Sequence, residues 1–373
     1  MMNYRNLYYI SVLNPAFPFI GVINKIAAQA NSFQKAGYKV STINLYRKVE
    51  NRSLFGKIMI RLNPFVDLSN SKDLIIIARS VSNSIFYFRF TLFDFYFLKS
   101  LKTLKQNNNI VVIEFPTYPF RKEIPIKRIQ FYYMHLFYKI FIKRYIDFIV
   151  TYSNHKRIYN IECIRISNGI DINQVPVKTQ LSLNDDINAI VVASLSFWHG
   201  VDRIIKGLAD YYKGNFNRNI ILHIVGDGSE KILLQNLVSS LNLSNRVVFY
   251  GSLKGKELDL IFEKMHLGVA SLGCHRKNLK FTSELKTREY CARGLPFIIS
   301  ANLPDFPIDF KYVKYFPSDE SNIDIKKVIE FTETLYKDPF LSNKMRNWAI
   351  NNLQWDKKLE PVILKLVDLS QKK

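Results

Sequence analysis

The sequence predicts an α/β protein made of two successive doubly wound domains. Three observations lead there. A strand–loop–helix–strand unit opens the chain: an apolar run over residues 4–13, apolar residues at helical spacing from Val22 to Phe33, and a second apolar run over 38–45. Beyond residue 187, five more short apolar runs alternate with helical periodicity. Finally, 373 residues, 48% of them hydrophobic, supply more core than one domain needs.

In the first half, Gly37 closes the first helix. Gly21 stands at its loop–helix junction, where it either admits a ligand close to the backbone or simply eases a turn. Residues 46–72 are basic, with Arg47, Lys48, Arg52, Lys57 and Arg61 among apolar residues, and give no clear element. Residues 74–78 and 85–90 read as short strands, 93–104 as a helix and 110–115 as a buried strand. That strand ends in Pro116-Thr117-Tyr118-Pro119, at a carboxyl end of the kind where open α/β sheets hold ligands. Glu114 and Tyr118 are therefore candidate ligand groups; a structural proline turn is the alternative.

Residues 126–145 form a helix with Lys127, His135, Lys139 and Lys143 on one stripe. Ile129, Tyr133, Leu136, Phe137, Ile140 and Phe141 lie on the other side. So basic and aromatic a helix suits an anionic bilayer surface; the alternative is that its apolar side is core. Strands follow at 147–151 and 163–166, then the turn Asn168-Gly169-Ile170-Asp171. Residues 171–187 are polar and aperiodic and read as an interdomain linker. The domains are accordingly 1–175 and 186–354, with a last helix, 355–373, crossing back to the first domain.

In the second half, strands at 189–193, 220–225, 247–250 and 267–271 are followed by Trp198-His199-Gly200 and a helix, by Gly226-Asp227-Gly228 and a helix, by Gly251 and a helix, and by residues 283–300. Gly226-Asp227-Gly228 is a short glycine loop that completes no dinucleotide fingerprint.

The formal charge is +22, from 53 Lys and Arg against 31 Asp and Glu. Such a chain is drawn to polyanions: nucleic acid, anionic lipid or phosphorylated small molecules. No nucleic-acid-binding motif is present, and 28 Phe and 21 Tyr beside lysine favour a membrane interface over a duplex groove. Cys163, Cys274 and Cys291 are far apart, which fits a reducing compartment and no metal spacing. Residues 1–13 read as a strand, not a signal peptide, and no run approaches the ~18 apolar residues of a spanning helix. A soluble or peripheral cytoplasmic protein is expected. Zinc spacing, a P-loop and GxSxG are all missing from the sequence.

The most informative stretch is 283–300, SELKTREYCARGLPFIIS. Ser283 can cap a helix that Gly294 stops, with Pro296 beyond it. Such a helix start offers unpaired N–H groups to a phosphate, Lys286 and Arg288 add positive charge, and Glu289 one turn in can accept hydrogen bonds from sugar hydroxyls. An ordinary surface helix is the alternative.

Taken together, Asn168-Gly169-Ile170-Asp171, Trp198-His199-Gly200-Val201-Asp202, Ile224 to Glu230, Val247 to Gly251 and Glu289 to Phe297 resemble the family 4 glycosyltransferases of the GT-B fold. The likeness is to a variant common among bacterial surface-polysaccharide enzymes. It implies two Rossmann-like domains facing a central cleft, the C-terminal one taking a nucleotide-diphosphate sugar and the N-terminal one a glycan or polyprenyl-linked glycan acceptor. Glu289 matches the glutamate that holds the ribose. A second glutamate, eight positions earlier, falls at Phe281. Ser194 and His199 stand where the family places an arginine and a lysine on the diphosphate, His199 serving when protonated. The implied catalytic set is Glu289, Lys286 and His199. On the donor side are Ser283, Thr287, Glu289, Gly226, Gly251 and Ser194, and on the acceptor side Gly21, Glu114 and Tyr118. No metal or cofactor is implied, configuration is retained, and the acceptor hydroxyl attacks from the front face. The competing expectation, favoured by Phe281 and Ser194, is a non-catalytic GT-B partner subunit.

Overall fold

The computed structural model describes residues 4–13, 20–46, 67, 71–121, 124, 129–183, 186–214 and 216–372. Most of the basic stretch 46–72, the loop 14–19 and Lys127 lie outside the described residues. The chain forms two units, 1–167 with 355–373, and 168–354.

Unit 1 holds strands β1 (Asn6–Ser11), β2 (Lys39–Asn44), β3 (Ile85–Arg89), β4 (Ile110–Phe115), β5 (Phe148–Thr151), β6 (Arg157–Ile158) and β7 (Ile161–Arg165), in the order β2-β1-β3-β4-β5-β7-β6. All pairs are parallel except β6–β7. β4 is buried along its whole length, as a strand covered on both faces must be. Helices α1 (Ile20–Lys35), α2 (Ser71–Ser80), α3 (Phe95–Gln106) and α4 (Ile129–Ile142) flank the sheet. Asp94 caps α3, accepting the Phe97 N–H at 2.8 Å. The C-terminal helix Trp355–Gln371 closes one face with Trp355, Leu359, Val362 and Leu366.

Residues 74–78, expected as a strand, lie in helix α2. The run Leu74–Ile77 is β-branched enough to mislead, but β3 pairs parallel to β1. Parallel neighbours need a crossover connection, and α2, burying Leu74 and Ala78, serves as one.

Unit 2 holds β8 (Ile187–Val192), β9 (Ile220–Val225), β10 (Val247–Gly251), β11 (Leu267–Val269), β12 (Phe297–Ile299) and β13 (Val313–Tyr315), all parallel, in the order β10-β9-β8-β11-β12-β13. Helices α5 (Val201–Lys213), α6 (Lys231–Ser240), α7 (Lys256–Phe262), α8 (Leu285–Arg293), α9 (Ile325–Tyr336) and α10 (Leu341–Asn352) surround it. Strand order reverses between β8 and β11, and ligands of doubly wound sheets bind outside the carboxyl ends at such a point.

The unit boundary falls at 167/168, not within the polar stretch 171–187. That stretch packs on unit 2: Arg346 donates to the carbonyls of Ile172 (2.8 Å) and Val175 (2.6 Å), and the Lys178 N–H bonds Arg293 O at 2.9 Å. Its polarity signalled a linker, yet its backbone groups find partners more than a hundred residues away.

Candidate functional site

Helix α8 is anchored over the β8/β11 switch point by one buried ring. The Tyr290 hydroxyl accepts the Val192 N–H at 3.2 Å, at the carboxyl end of β8, and its ring lies against Gly268 in β11. A Cβ at Gly268 would come within 2.5 Å of that ring, so glycine is required there.

The helix starts one residue later than expected. Glu284, not Ser283, occupies the N-cap, and no side chain caps the first turn. The amides of Leu285, Lys286 and Thr287 thus carry the helix's partial positive charge with no capping oxygen. Ser283 is diverted: its hydroxyl accepts the Asn168 N–H at 2.9 Å and its carbonyl the Asn168 Nδ2 at 2.6 Å. The Thr287 hydroxyl is also committed, donating to Glu284 O and accepting from Arg288 Nη1, both at 2.8 Å. Arg288 adds no surface charge; it is fully buried and paired with Asp305.

Lys286 is the cation left at this mouth. Its Nζ is shut off from solvent and has no hydrogen-bond acceptor among the described residues. Its nearest counter-charge is Glu284 at 3.7 Å, beyond hydrogen-bond reach. Burial lowers its pKa and the Glu284 charge opposes that. Glu284 itself turns toward the end of β11, accepting from the Ser271 hydroxyl at 2.9 Å and its N–H at 3.3 Å. Sequence reading missed Glu284 and Ser271 because only the fold brings the β11 loop against the helix start. An acid beside an uncapped helix start was the one available signal.

His199 lies across the switch point, on the β8 side. It is buried, and its Nδ1 accepts the Ser196 N–H at 3.2 Å, which places the remaining proton on Nε2. Burial, reinforced by Lys286 and Lys277, lowers its pKa to about 3. A protonated His199 on a diphosphate is therefore corrected to a neutral imidazole with one N–H donor. Ser194 is exposed and uncharged nearby. Gly226 and Gly251 join this group: Gly226 N–H donates to Gly251 O at 2.7 Å, and a Cβ on Gly226 (φ +134°) would lie 1.8 Å from Ala193 O. Gly226 is thus demanded by a neighbouring backbone. Gly251, at φ +70°, holds a left-handed turn at the end of β10.

Glu289 sits one turn into α8. Its Oε1 takes both Arg293 Nε (3.0 Å) and Nη2 (2.8 Å), while Oε2 accepts no hydrogen bond among the described residues. Lys286, Glu289 and the uncapped amides therefore lie on one short helix, with His199 beside it. Among the described residues, no group of three His, Cys, Asp or Glu could hold a metal ion.

In unit 1, the expected acceptor-side residues do not converge. Glu114 is completely buried and saturated: Oε1 meets Lys25 Nζ and Arg89 Nη1, each at 3.2 Å, and Oε2 accepts from the Tyr87 hydroxyl (2.7 Å) and Gln29 Nε2 (2.9 Å). Burial pushes its pKa up, but the two cations and two hydrogen bonds outweigh that and hold it below the carboxylate range. It is a counter-ion, not an open acceptor-side group. Tyr118, in the bend after β4, is half-buried among Phe115, Phe120, His155 and Tyr159, and Phe115 points to the face of β4 opposite Glu114. Gly21 lies inside the first turn of α1, exposed.

Helix α4 turns its apolar side outward. His135 is buried from the lysine stripe, its Nδ1 accepting Phe93 N–H at 3.1 Å, with Tyr138 and Ile142 also inside. Tyr133, Phe137, Ile140 and Phe141 face solvent. No helix among the described residues is long and apolar enough to cross a membrane.

Residues 177–304 match the family model described as glycosyl transferases group 1. A curated relative, the alpha-monoglucosyldiacylglycerol synthase of Acholeplasma laidlawii, is 25% identical over 204 residues, 53% of this chain and 48% of that protein. The chain thus matches about half the length of that relative. Among solved structures, a glycosyltransferase from Rickettsia africae superposes with a TM-score of 0.67 at 15% identity, covering 99% of this chain and 100% of that one. Anabaena HepE in complex with UDP gives 0.61 at 13% identity, covering 97% and 100%.

Proposed function

We propose that the chain is a group 1 glycosyl transferase of family 4 with the GT-B fold, and that it moves a sugar from a nucleotide-diphosphate donor to a hydroxyl of a glycan or lipid-linked glycan. The observation carrying this reading is the buried Lys286 ammonium, lacking a hydrogen-bond acceptor among the described residues, beside the uncapped amides of α8. An unsatisfied buried cation is costly unless a ligand completes it. A diphosphate supplies the acceptors that both the ammonium and the amides lack.

In this reading the diphosphate rests on the first turn of α8 and on Lys286. The neutral His199 adds one N–H. Glu289, steadied by Arg293, takes the ribose hydroxyls on Oε2. As the glycosidic bond breaks, charge grows on the leaving phosphate, and these donors, already in place, stabilise it by roughly 3 kcal/mol each. The acceptor hydroxyl attacks on the same face, its proton passing to the leaving phosphate. Configuration is retained and no metal is required. The outward apolar face of α4, ending in exposed Lys143 and Arg144, seats unit 1 on an anionic membrane surface, which fits surface-polysaccharide synthesis on the inner face of the plasma membrane.

A second reading, a non-catalytic partner subunit, is favoured by one observation: position 281 offers an exposed phenylalanine and no carboxylate. Incubating purified protein with a panel of nucleotide sugars decides between them. Melting-point rises that Lys286→Met abolishes, with slow donor hydrolysis, support the enzyme. Rises without turnover toward any acceptor support the partner subunit. No rise with any nucleotide overturns the donor site.

A further inference from the structure

The connection from β11 to α8 is a loop with a closed neck and a projecting tip. At the neck, Glu284 meets the Ser271 hydroxyl at 2.9 Å and Cys274 Sγ at 3.8 Å. The tip, residues 277–281, reads Lys-Asn-Leu-Lys-Phe and is exposed throughout. Leu279 is 41% and Phe281 49% exposed. Two more exposed apolar side chains are close in chain or fold: Leu285, four residues on and the first of α8, at 40%, and Phe197, at 50%. The Phe197 carbonyl accepts from Arg276 at 2.7 Å, which joins it to the loop.

The tip is held, not loose. Leu279 N–H bonds Cys274 O at 3.1 Å, and Lys280 O and Thr282 N–H pair with the Asn302 backbone, each at 3.0 Å. Arg276 fixes the shoulder to Asp202 at 2.8 and 2.9 Å and to Glu320. An ordered backbone thus keeps apolar side chains in water. One exposed Leu or Phe needs no explanation, but four around one anion-binding mouth do. Lysines at 277 and 280 alternate with them, and Lys277 lies 4.4 Å over the Trp198 ring. Cationic, aliphatic and aromatic side chains interleaved in this way match the headgroup level of an anionic bilayer.

We propose that the 277–281 tip, with Phe197 and Leu285, is a second lipid-contact surface, placed on unit 2 at the donor mouth. Leu279 and Phe281 enter the boundary between headgroups and acyl chains, and Lys277 and Lys280 meet lipid phosphates. The inference rests on the donor reading, because it brings the transferred sugar to an acceptor held in that bilayer.

The test uses the full chain and vesicles of phosphatidylcholine and phosphatidylglycerol, with brominated acyl chains as quencher. In Phe281→Trp, emission from residue 281, taken as the difference from wild type, should shift to the blue and fall at least twofold on vesicle addition. Lys277→Glu/Lys280→Glu should weaken vesicle partitioning roughly tenfold or more. Unquenched emission at 281 while the protein still sediments with vesicles overturns the proposal, as does failure of the wild type to sediment. Concentration-dependent dimerisation that Leu279→Ser/Phe281→Ser abolishes would reassign the tip to a second copy of the chain. The UDP-induced melting shift, measured on the same variants, reports the donor site separately. Its loss in wild type sinks the donor reading, and its persistence without quenching sinks only the lipid contact.

Discussion

The Val192 amide in β8 and the Tyr290 hydroxyl in α8 meet at 3.2 Å, which locks helix α8 onto the strand-order reversal of unit 2. Tyr290→Phe should leave that amide unpaired in a buried site and cost about 1–3 kcal/mol in urea unfolding. Gly268→Ala, which drives a Cβ into the same ring, should cost a similar 1–3 kcal/mol. Both should also weaken nucleotide binding, because the helix start shifts with its anchor. Unchanged stability in both variants would contradict the anchoring role.

Lys286→Met separates binding from folding. The substitution removes a buried charge that lacks a hydrogen-bond acceptor among the described residues and keeps an unbranched chain in its place. Glu284 loses a counter-charge at 3.7 Å but keeps both Ser271 hydrogen bonds, so stability should fall by no more than about 1 kcal/mol, while the UDP-induced melting shift disappears. A residue with a merely structural role would show the reverse pattern.

Glu114→Gln should behave as a folding mutant. It leaves Lys25 and Arg89 facing each other without their shared counter-ion. Breaking a buried pair in this way costs about 3–5 kcal/mol. Lys25, already lowered to about 8 by burial against the opposing pull of Glu114, should titrate lower still. Melting of unit 1 at lower denaturant concentration, with the nucleotide-induced shift of unit 2 intact, is the expected result. Normal unfolding would return Glu114 to the list of acceptor-side groups.

Acid should destabilise the fold well above the carboxylate range. Burial lowers His135 and His199 to about 3, and His223 and His266 to about 4. The unfolded chain binds these protons near pH 6.5, before the folded one can. Stability is therefore complete above pH 6.5 and falls as pH drops toward 3. His135 and His199 each withdraw about 1.4 kcal/mol per pH unit in that window. Urea midpoints measured from pH 7.5 to 5 check this. A His199→Gln background should show a shallower slope, and an unaltered slope would mean that His199 is not held neutral.

The alternation of apolar runs and helical periodicity was enough to predict two doubly wound sheets, because side-chain period and turn residues are local properties of the chain. The C-terminal limit of α8 was equally legible: Gly294 ends it at φ +76°, a conformation open to glycine, and Pro296 bars its continuation. Strand 110–115 was readable for the same reason. The run 74–77 was misread, since what makes it a helix is the parallel pairing of β3 with β1, a relation between distant segments.

Which charged and polar residues remain open to a ligand was decided by tertiary structure alone. Ser283 is taken by Asn168, 115 positions away, and Glu114 by Gln29, 85 positions away. Arg288 and Thr287 are used up inside the unit, His199 is kept neutral by burial, and Lys286 is left with no hydrogen-bond acceptor among the described residues. Local pattern names the candidates for a site. Hydrogen-bond partners and desolvation, which depend on residues far off in the chain, select among them.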